Sequence, residues 1–230
     1  MTSALLDNIE EATSPSQVLI LRGYWRSSAT WRVRIALHLK KIPFEYIPIH
    51  LVNDGGEQHS PEYLKLNPLA QVPTLTLPEG ASLTQSLAIL DYLDHLVRTP
   101  PLYPDDALQR ARAIQLAEVI NSGIQPLQNL SLLQKIEREF NANKAQWGRE
   151  AIDNGFHALT QLLKQHPQHT FLAAEHPTIA DLCLIPQLYN ARRFKVNLEK
   201  YPRLLEVEAH CQTIEAFQRA VPEAQPDAQT

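Results

Sequence analysis

Ser27-Ser28 stands between a short apolar run and a helical pattern, the first of three stretches whose residue types could do chemistry together. Hydroxyls at a helix start donate hydrogen bonds to whatever lies beyond it, and the unpaired N–H groups of the first turn add partial positive charge. An anion is stabilised at such a place. A thiol, with an ordinary pKa of about 8.5, would be drawn toward thiolate there, each unit of lowering being worth about 1.4 kcal/mol. The same serines also read as a plain N-cap contributing about 1 kcal/mol to the helix. In Gln71-Val72-Pro73 a proline opens a strand after an extended dipeptide. With that bond cis, the backbone N–H and C=O of Val72 could pair with an extended peptide as with an added strand. Gln85-Ser86 opens another helix and could hold a free carboxylate or, again, merely cap it.

The elements needed to position these stretches follow from hydrophobic periodicity. Residues 1–16 are polar and unpatterned and read as a tail. Val18-Leu19-Ile20-Leu21 has the length of a buried strand. A helix follows over about Ala29 to Lys40, with Trp31, Ile35 and Leu39 at helical spacing, and Pro43 stops it. Phe44 to Ile49 is a second strand, in which Pro48 favours a sheet edge. A short helix then covers Pro61 to Leu66, residues 72–77 and 81–84 form a hairpin, and a helix runs from Gln85 to about Val97. The order strand, helix, strand, helix, strand, strand, helix over residues 17–98 is that of an α/β sandwich.

Thr99-Pro100-Pro101-Leu102-Tyr103-Pro104 cannot continue a helix, so 99–105 is the expected linker. Residues 106–221 are helically periodic, as at Ile152, Phe156, Leu159 and Leu163, and are expected to form an all-helical domain. Within it Thr178-Ile179-Ala180-Asp181 resembles a capping box with Asp in place of Glu or Gln. Residues 222–230 read as a second tail.

The 230 residues are 44% hydrophobic and carry a formal charge of −4 without a basic run, which argues against nucleic acid as a partner. No stretch approaches the roughly 20 apolar residues of a membrane helix, and the first residues are acidic where an export signal would be basic. Cys183 and Cys211 are too far apart for a redox pair and too few for a multi-cysteine zinc site, so a reducing cytoplasm is expected. None of the nine histidines falls in a ligand spacing such as HExxH, and no metal is expected.

One small ligand touching all three polar stretches would carry a thiol in its middle, peptide groups beside it and a carboxylate at one end. Glutathione has that constitution. The segments SSATWRVRIAL at 27–37, NPLAQVPTL at 67–75, QSLAILDYL at 85–93, GIQPLQNLSLL at 123–133, TIADLCLIPQ at 178–187 and ARRFKVNLEKYP at 191–202 resemble zeta-class glutathione transferases. The resemblance implies a thioredoxin-like N-terminal domain, a helical C-terminal domain, a homodimer, and glutathione as a catalytic cofactor that is not consumed. It implies catalytic roles for Ser27 and Ser28, and glutathione contacts from these two with Thr30, Trp31, Arg32, Gln58, Val72, Gln85 and Ser86. From the helical domain it adds Gln125, Asn129, Leu130 and Ser131, and it assigns Arg26 and Arg193 to the carboxylates of a dicarboxylate substrate. Ala29 departs from the family's usual cysteine after the two serines, which leaves the thiol to glutathione.

The implied reaction is isomerisation of maleylacetoacetate to fumarylacetoacetate, in tyrosine and phenylalanine breakdown. A thiolate adds to the cis double bond, the resulting single bond rotates, and elimination restores the trans alkene. Maleylpyruvate isomerisation, general conjugation of electrophiles and a noncatalytic dimerisation module are the alternatives. Leu130 and Ser131 favour the longer diacid, since maleylpyruvate enzymes tend to carry arginines there.

Overall fold

A computed structural model of the chain describes residues 18–165 and 168–229; the tail expected over 1–16 lies outside the described residues. Two compact units are present, one made by the chain up to Pro100 together with the segment from Glu215 onward, the other by Pro101–Ile214.

The first unit is built on a four-stranded sheet in the order β2-β1-β3-β4, from β1 (Leu19–Gly23), β2 (Phe44–Pro48), β3 (Thr74–Thr76) and β4 (Ser82–Thr84). β1 runs parallel to β2 and antiparallel to β3, with Leu21 opposite Tyr46 on one side and Leu75 on the other. Leu19, Leu21 and Gly23 alternate as buried positions, the period expected of a strand. Pro48 closes β2 at the sheet edge, where its missing N–H costs no ladder bond. The helices are α1 (Ser28–Leu39), α2 (Pro61–Leu66) and α3 (Ser86–Leu96). This is the thioredoxin-like order expected over 17–98.

α1 departs from the amphipathic stripe that its spacing suggests. Every residue from Thr30 to Leu37 is buried, Arg32 and Arg34 included. The reason is that α1 is covered twice, by α3 and by a short C-terminal helix, α9 (Glu215–Arg219). At its other end the buried Lys40 ammonium donates to Asp94 Oδ1 at 2.8 Å and to the carbonyls of Val97 and Pro100, tying the ends of α1 and α3 together. Removing either partner of such a pair leaves an uncompensated buried charge.

The second unit consists of α4 (Ala107–Glu118), a π-helical turn at Val119–Ile124, a 3-10 turn at Gln125–Gln128, α5 (Leu130–Phe140), α6 (Lys144–Leu163), α7 (Ile179–Arg193) and α8 (Pro202–Gln212). α7 is its core: Ile179 through Leu188 are all buried. Thr178 and Asp181 form the expected capping box; Asp181 accepts from the Thr178 N–H at 2.7 Å and also from the Leu172 N–H at 2.8 Å. Gly148 on α6 is required by close approach, since a Cβ there would stand 2.3 Å from the Phe194 ring.

The chain's end differs from the sequence expectation of a helical domain to 221 and a tail from 222. Residues 215–229 belong with the first unit. Arg34 Nε donates to the Ala220 carbonyl at 3.1 Å, and Asp227 accepts from the backbone N–H of Trp25 at 3.0 Å. Composition hid this: the segment is rich in Pro, Gln and Ala without an apolar period, and what anchors it is a few polar contacts.

Candidate functional site

In the first unit the site begins where β1 hands over to α1. The Ser27 Oγ accepts from the Thr30 N–H at 3.2 Å, so Ser27 is the N-cap, and its own N–H donates to the Tyr24 carbonyl at 2.9 Å. Capping uses the oxygen of the hydroxyl and leaves its proton to donate elsewhere. Ser28 is the first residue of α1, and both serines are half-buried. Arg26, also half-buried, lies with its guanidinium carbon 5.2 Å from the centre of the Trp25 ring. Thr30 and Trp31 turn into the core. Thr30 Oγ1 is buried with no hydrogen-bond partner among the described residues.

Arg32 joins this helix start to the next one. Fully buried, it donates from Nη1 to Ser86 Oγ at 3.0 Å, which brings positive charge beneath the first turn of α3. Ser86 is therefore not a cap. The N-cap is Gln85, whose side chain makes no capping bond and whose backbone sits at φ 67, ψ 113. A non-glycine residue held in such a region costs on the order of 1–3 kcal/mol, and such residues cluster at ligand sites. The first turn of α3 thus keeps N–H groups without a side-chain cap beside a buried guanidinium, an arrangement suited to a carboxylate.

Two further positions complete the first unit's share. The Val72–Pro73 bond has the expected cis form, and the Val72 backbone makes no hydrogen bond to another described residue. The loop is held one residue earlier, where the Gln71 carbonyl accepts from Tyr63 Oη and Asn67 Nδ2, each at 2.7 Å. The sequence does not single out either residue for this role, because Tyr63 on α2 reads as core and Asn67, just past the helix end, reads as its stop. Gln58 is buried, its Nε2 only 3.4 Å from the Leu51 carbonyl and its Oε1 without a partner among the described residues. A carboxamide whose oxygen is left unpartnered in this way suits a peptide ligand.

In the second unit Gln125 sits at the junction of the π-helical and 3-10 turns, its Nε2 buried and without a partner among the described residues. π-turns often mark functional positions. Asn129 is the N-cap of α5 and accepts from the Ser131 N–H at 3.0 Å and its hydroxyl at 2.9 Å, while Leu130 is exposed. Gln128, a neighbour the sequence does not single out, pairs with the buried Gln187 at 2.7 Å and anchors α7. At the end of α7, Arg192 makes a two-pronged pair with Glu208, whereas Arg193 is exposed and donates to Asn190 Oδ1 at 3.2 Å. Adjacent arginines are thus split between holding α8 and facing solvent.

Both cysteines are buried thiols, and burial pushes Cys211 far above the ordinary thiol range. Among the described residues no cluster of His, Cys, Asp and Glu could hold a metal ion, and no helix is long and apolar enough to cross a membrane.

Comparison with known proteins bears on what this geometry does. Residues 26–96 match the family model for the glutathione S-transferase N-terminal domain, and residues 105–209 that for its C-terminal domain. Maleylacetoacetate isomerase of Dictyostelium discoideum is 46% identical over 91% of this chain and 96% of its own length. A crystal structure of maleylacetoacetate isomerase from Anaeromyxobacter dehalogenans with GSH bound in the active site matches with a TM-score of 0.83 at 40% identity, over 92% of this chain and 98% of that one. The same enzyme has also been solved with dicarboxyethyl glutathione and citrate in its active site. A bacterial zeta-class maleyl pyruvate isomerase in its holo form matches with a TM-score of 0.87 at 37% identity, over 91% of this chain and 100% of that one.

Proposed function

We propose, from the premise that this chain belongs to the glutathione S-transferase family, that it is a zeta-class enzyme converting maleylacetoacetate to fumarylacetoacetate with glutathione as cofactor. The observation that carries this reading is the joined pair of helix starts, α1 and α3, bridged by Arg32 and Ser86 beside the uncapped, strained Gln85. Glutathione supplies the thiolate that adds to the cis double bond, allows rotation and leaves again.

The chain's own residues bind and orient. The first turn of α3, with Gln85, Ser86 and the charge of Arg32, takes the ligand's free carboxylate. Val72 pairs with its extended backbone, and the buried Gln58 amide meets a further polar group, since a flip can present either donor or acceptor. Thr30 and Trp31 shape the floor behind α1. Ser27, its oxygen already engaged by Thr30, donates its proton to the sulfur and favours the charged form; Ser28 is the second choice for that role. Gln125, Asn129, Leu130 and Ser131 are assigned to glutathione on the resemblance of their segment to zeta-class enzymes. Arg26 and Arg193 hold the substrate's carboxylates, for which planar guanidinium is suited, and stabilise the charge that develops on the substrate's oxygen.

The natural setting we infer is a homodimer in a reducing cytoplasm, in tyrosine and phenylalanine breakdown; two free, buried thiols suit a reducing compartment. Maleylpyruvate is the second reading, favoured by the likeness to the holo enzyme. Purified protein assayed with both diacids separates them: kcat/KM higher for maleylacetoacetate supports the first, and the reverse order supports the second.

A further inference from the structure

The Trp25 peptide, two residues before Ser27, is gripped from both sides, by Arg34 on α1 and by Asp227 near the end of the chain. Its N–H donates to Asp227 Oδ2 at 3.0 Å, and its carbonyl accepts from Arg34 Nη2 at 2.8 Å. The same Asp227 oxygen accepts from the Tyr46 hydroxyl at 3.2 Å, while Arg34 Nε holds the Ala220 carbonyl at 3.1 Å. Within this grip lies the turn closed by the Ser27 N–H on the Tyr24 carbonyl.

This arrangement is a poor choice for stability alone. Asp227 Oδ1 and Arg34 Nη1 are both buried without a hydrogen-bond partner among the described residues, and each such group destabilises the fold. Burial lowers Arg34 to about 10, and burial with the charge of Asp227 drives the Tyr46 hydroxyl well above its ordinary range. A carboxylate kept at this expense fixes something, and what it touches is the loop that carries the serines.

We infer that Asp227 is a positioning residue for thiol activation, holding the Tyr24–Ser27 turn so that the Ser27 hydroxyl and the first N–H groups of α1 meet the sulfur at the right place. The inference rests on the glutathione reading above. It gives the C-terminal segment a role in the reaction without contact with the reacting atoms.

The test compares the full-length chain with Asp227→Ala and Asp227→Asn. Hydrogen exchange of the Trp25 amide is measured against that of Leu75 in β3, and the ionisation of bound glutathione is followed by thiolate absorbance across pH. Asp227→Ala should speed Trp25 exchange at least about tenfold relative to Leu75. It should raise the pH at which the bound thiol ionises by about half a unit or more. Glutathione Kd should change by less than about threefold, because Ser86 and Gln58 are untouched. Asp227→Asn keeps an acceptor oxygen and should recover most of both effects. Should Asp227→Ala not fold, Asp227→Ser, too short to reach both groups, makes the same comparison. Trp25 exchange that merely tracks Leu75 would overturn the proposal, as would a released Trp25 amide with an unmoved thiol titration. If the unaltered protein shows no glutathione thiolate, the glutathione reading fails instead, and the exchange experiment still decides whether Asp227 holds the turn.

Discussion

Ser27 serves two ends with one hydroxyl, accepting the Thr30 N–H and donating to the proposed thiolate. Ser27→Ala should therefore lower stability by about 1 kcal/mol as a lost cap, and lower turnover much more than glutathione affinity, since Gln85 and Ser86 still hold the peptide. Urea unfolding with calorimetry of glutathione binding separates the two effects; turnover unchanged in Ser27→Ala, in Ser28→Ala and in the double variant would leave activation to the helix start alone. Arg193 is the sharper case at this scale. Arg193 is exposed in the unliganded chain, and the bound diacid would desolvate it; losing one partner of a desolvated, hydrogen-bonded charge pair costs on the order of 2–5 kcal/mol, so Arg193→Ala should depress kcat/KM for the diacid by roughly tens to thousands of fold. Arg193→Lys should restore only part, because ammonium cannot reproduce a planar two-pronged contact. Conjugation of an uncharged electrophile, where measurable, should be nearly unaffected; an equal loss there would move Arg193 from substrate recognition to structure.

At the scale of elements, two helix starts invite measurement. Gln85 occupies backbone space that glycine adopts at little cost, so Gln85→Gly should leave Tm unchanged or raise it by a few degrees while weakening glutathione binding through loss of the side chain. A falling Tm would show that the Gln85 side chain supports the fold. The start of α7 is governed by Asp181, whose carboxyl burial pushes up to about 6 against hydrogen bonds from Thr178 and Leu172. The folded state then holds a proton more tightly than the unfolded chain, where aspartate titrates at about 3.9. This group's contribution is therefore fully present below about pH 4 and lost as pH rises through about 6. Asp181→Asn cannot titrate and should flatten that part of the stability profile, read by urea unfolding across roughly pH 4 to 7. An unchanged slope would exclude Asp181 as its source.

These elements also show what a linear reading can and cannot see. β1, α1 and β2 are legible because a buried strand, a helical period and Pro43 are local signals. The Thr178–Asp181 box is legible for the same reason. The roles of Arg32, Arg34 and Lys40 are not, because a charged residue on a helix looks solvated until its partners, Ser86, Ala220 and Asp94, arrive from 54 to 186 residues away. Gln85-Ser86 reads as an ordinary cap, and only the φ of Gln85 and the bond from Arg32 show otherwise. The serine, Val72 and Gln85-Ser86 stretches are each ambiguous alone. Their meaning comes from being compatible with one ligand.

For the molecule as a whole, the first unit is closed by the end of the chain, since residues 215–229 return to α1 and to the loop before Ser27. The second unit is organised around the buried α7, with Gln125 and Arg193 at its turn and its end. Both cysteines are buried and Ala29 stands beside the serines, so the proposed mechanism has glutathione bring in the reacting sulfur and leave unchanged. The most direct measurement is the balance of glutathione during turnover of maleylacetoacetate. Isomerisation should need glutathione, saturate with it, and proceed through many product molecules for each glutathione with none consumed. Isomerisation at full rate without glutathione, or one glutathione lost for each substrate converted, would contradict this mechanism.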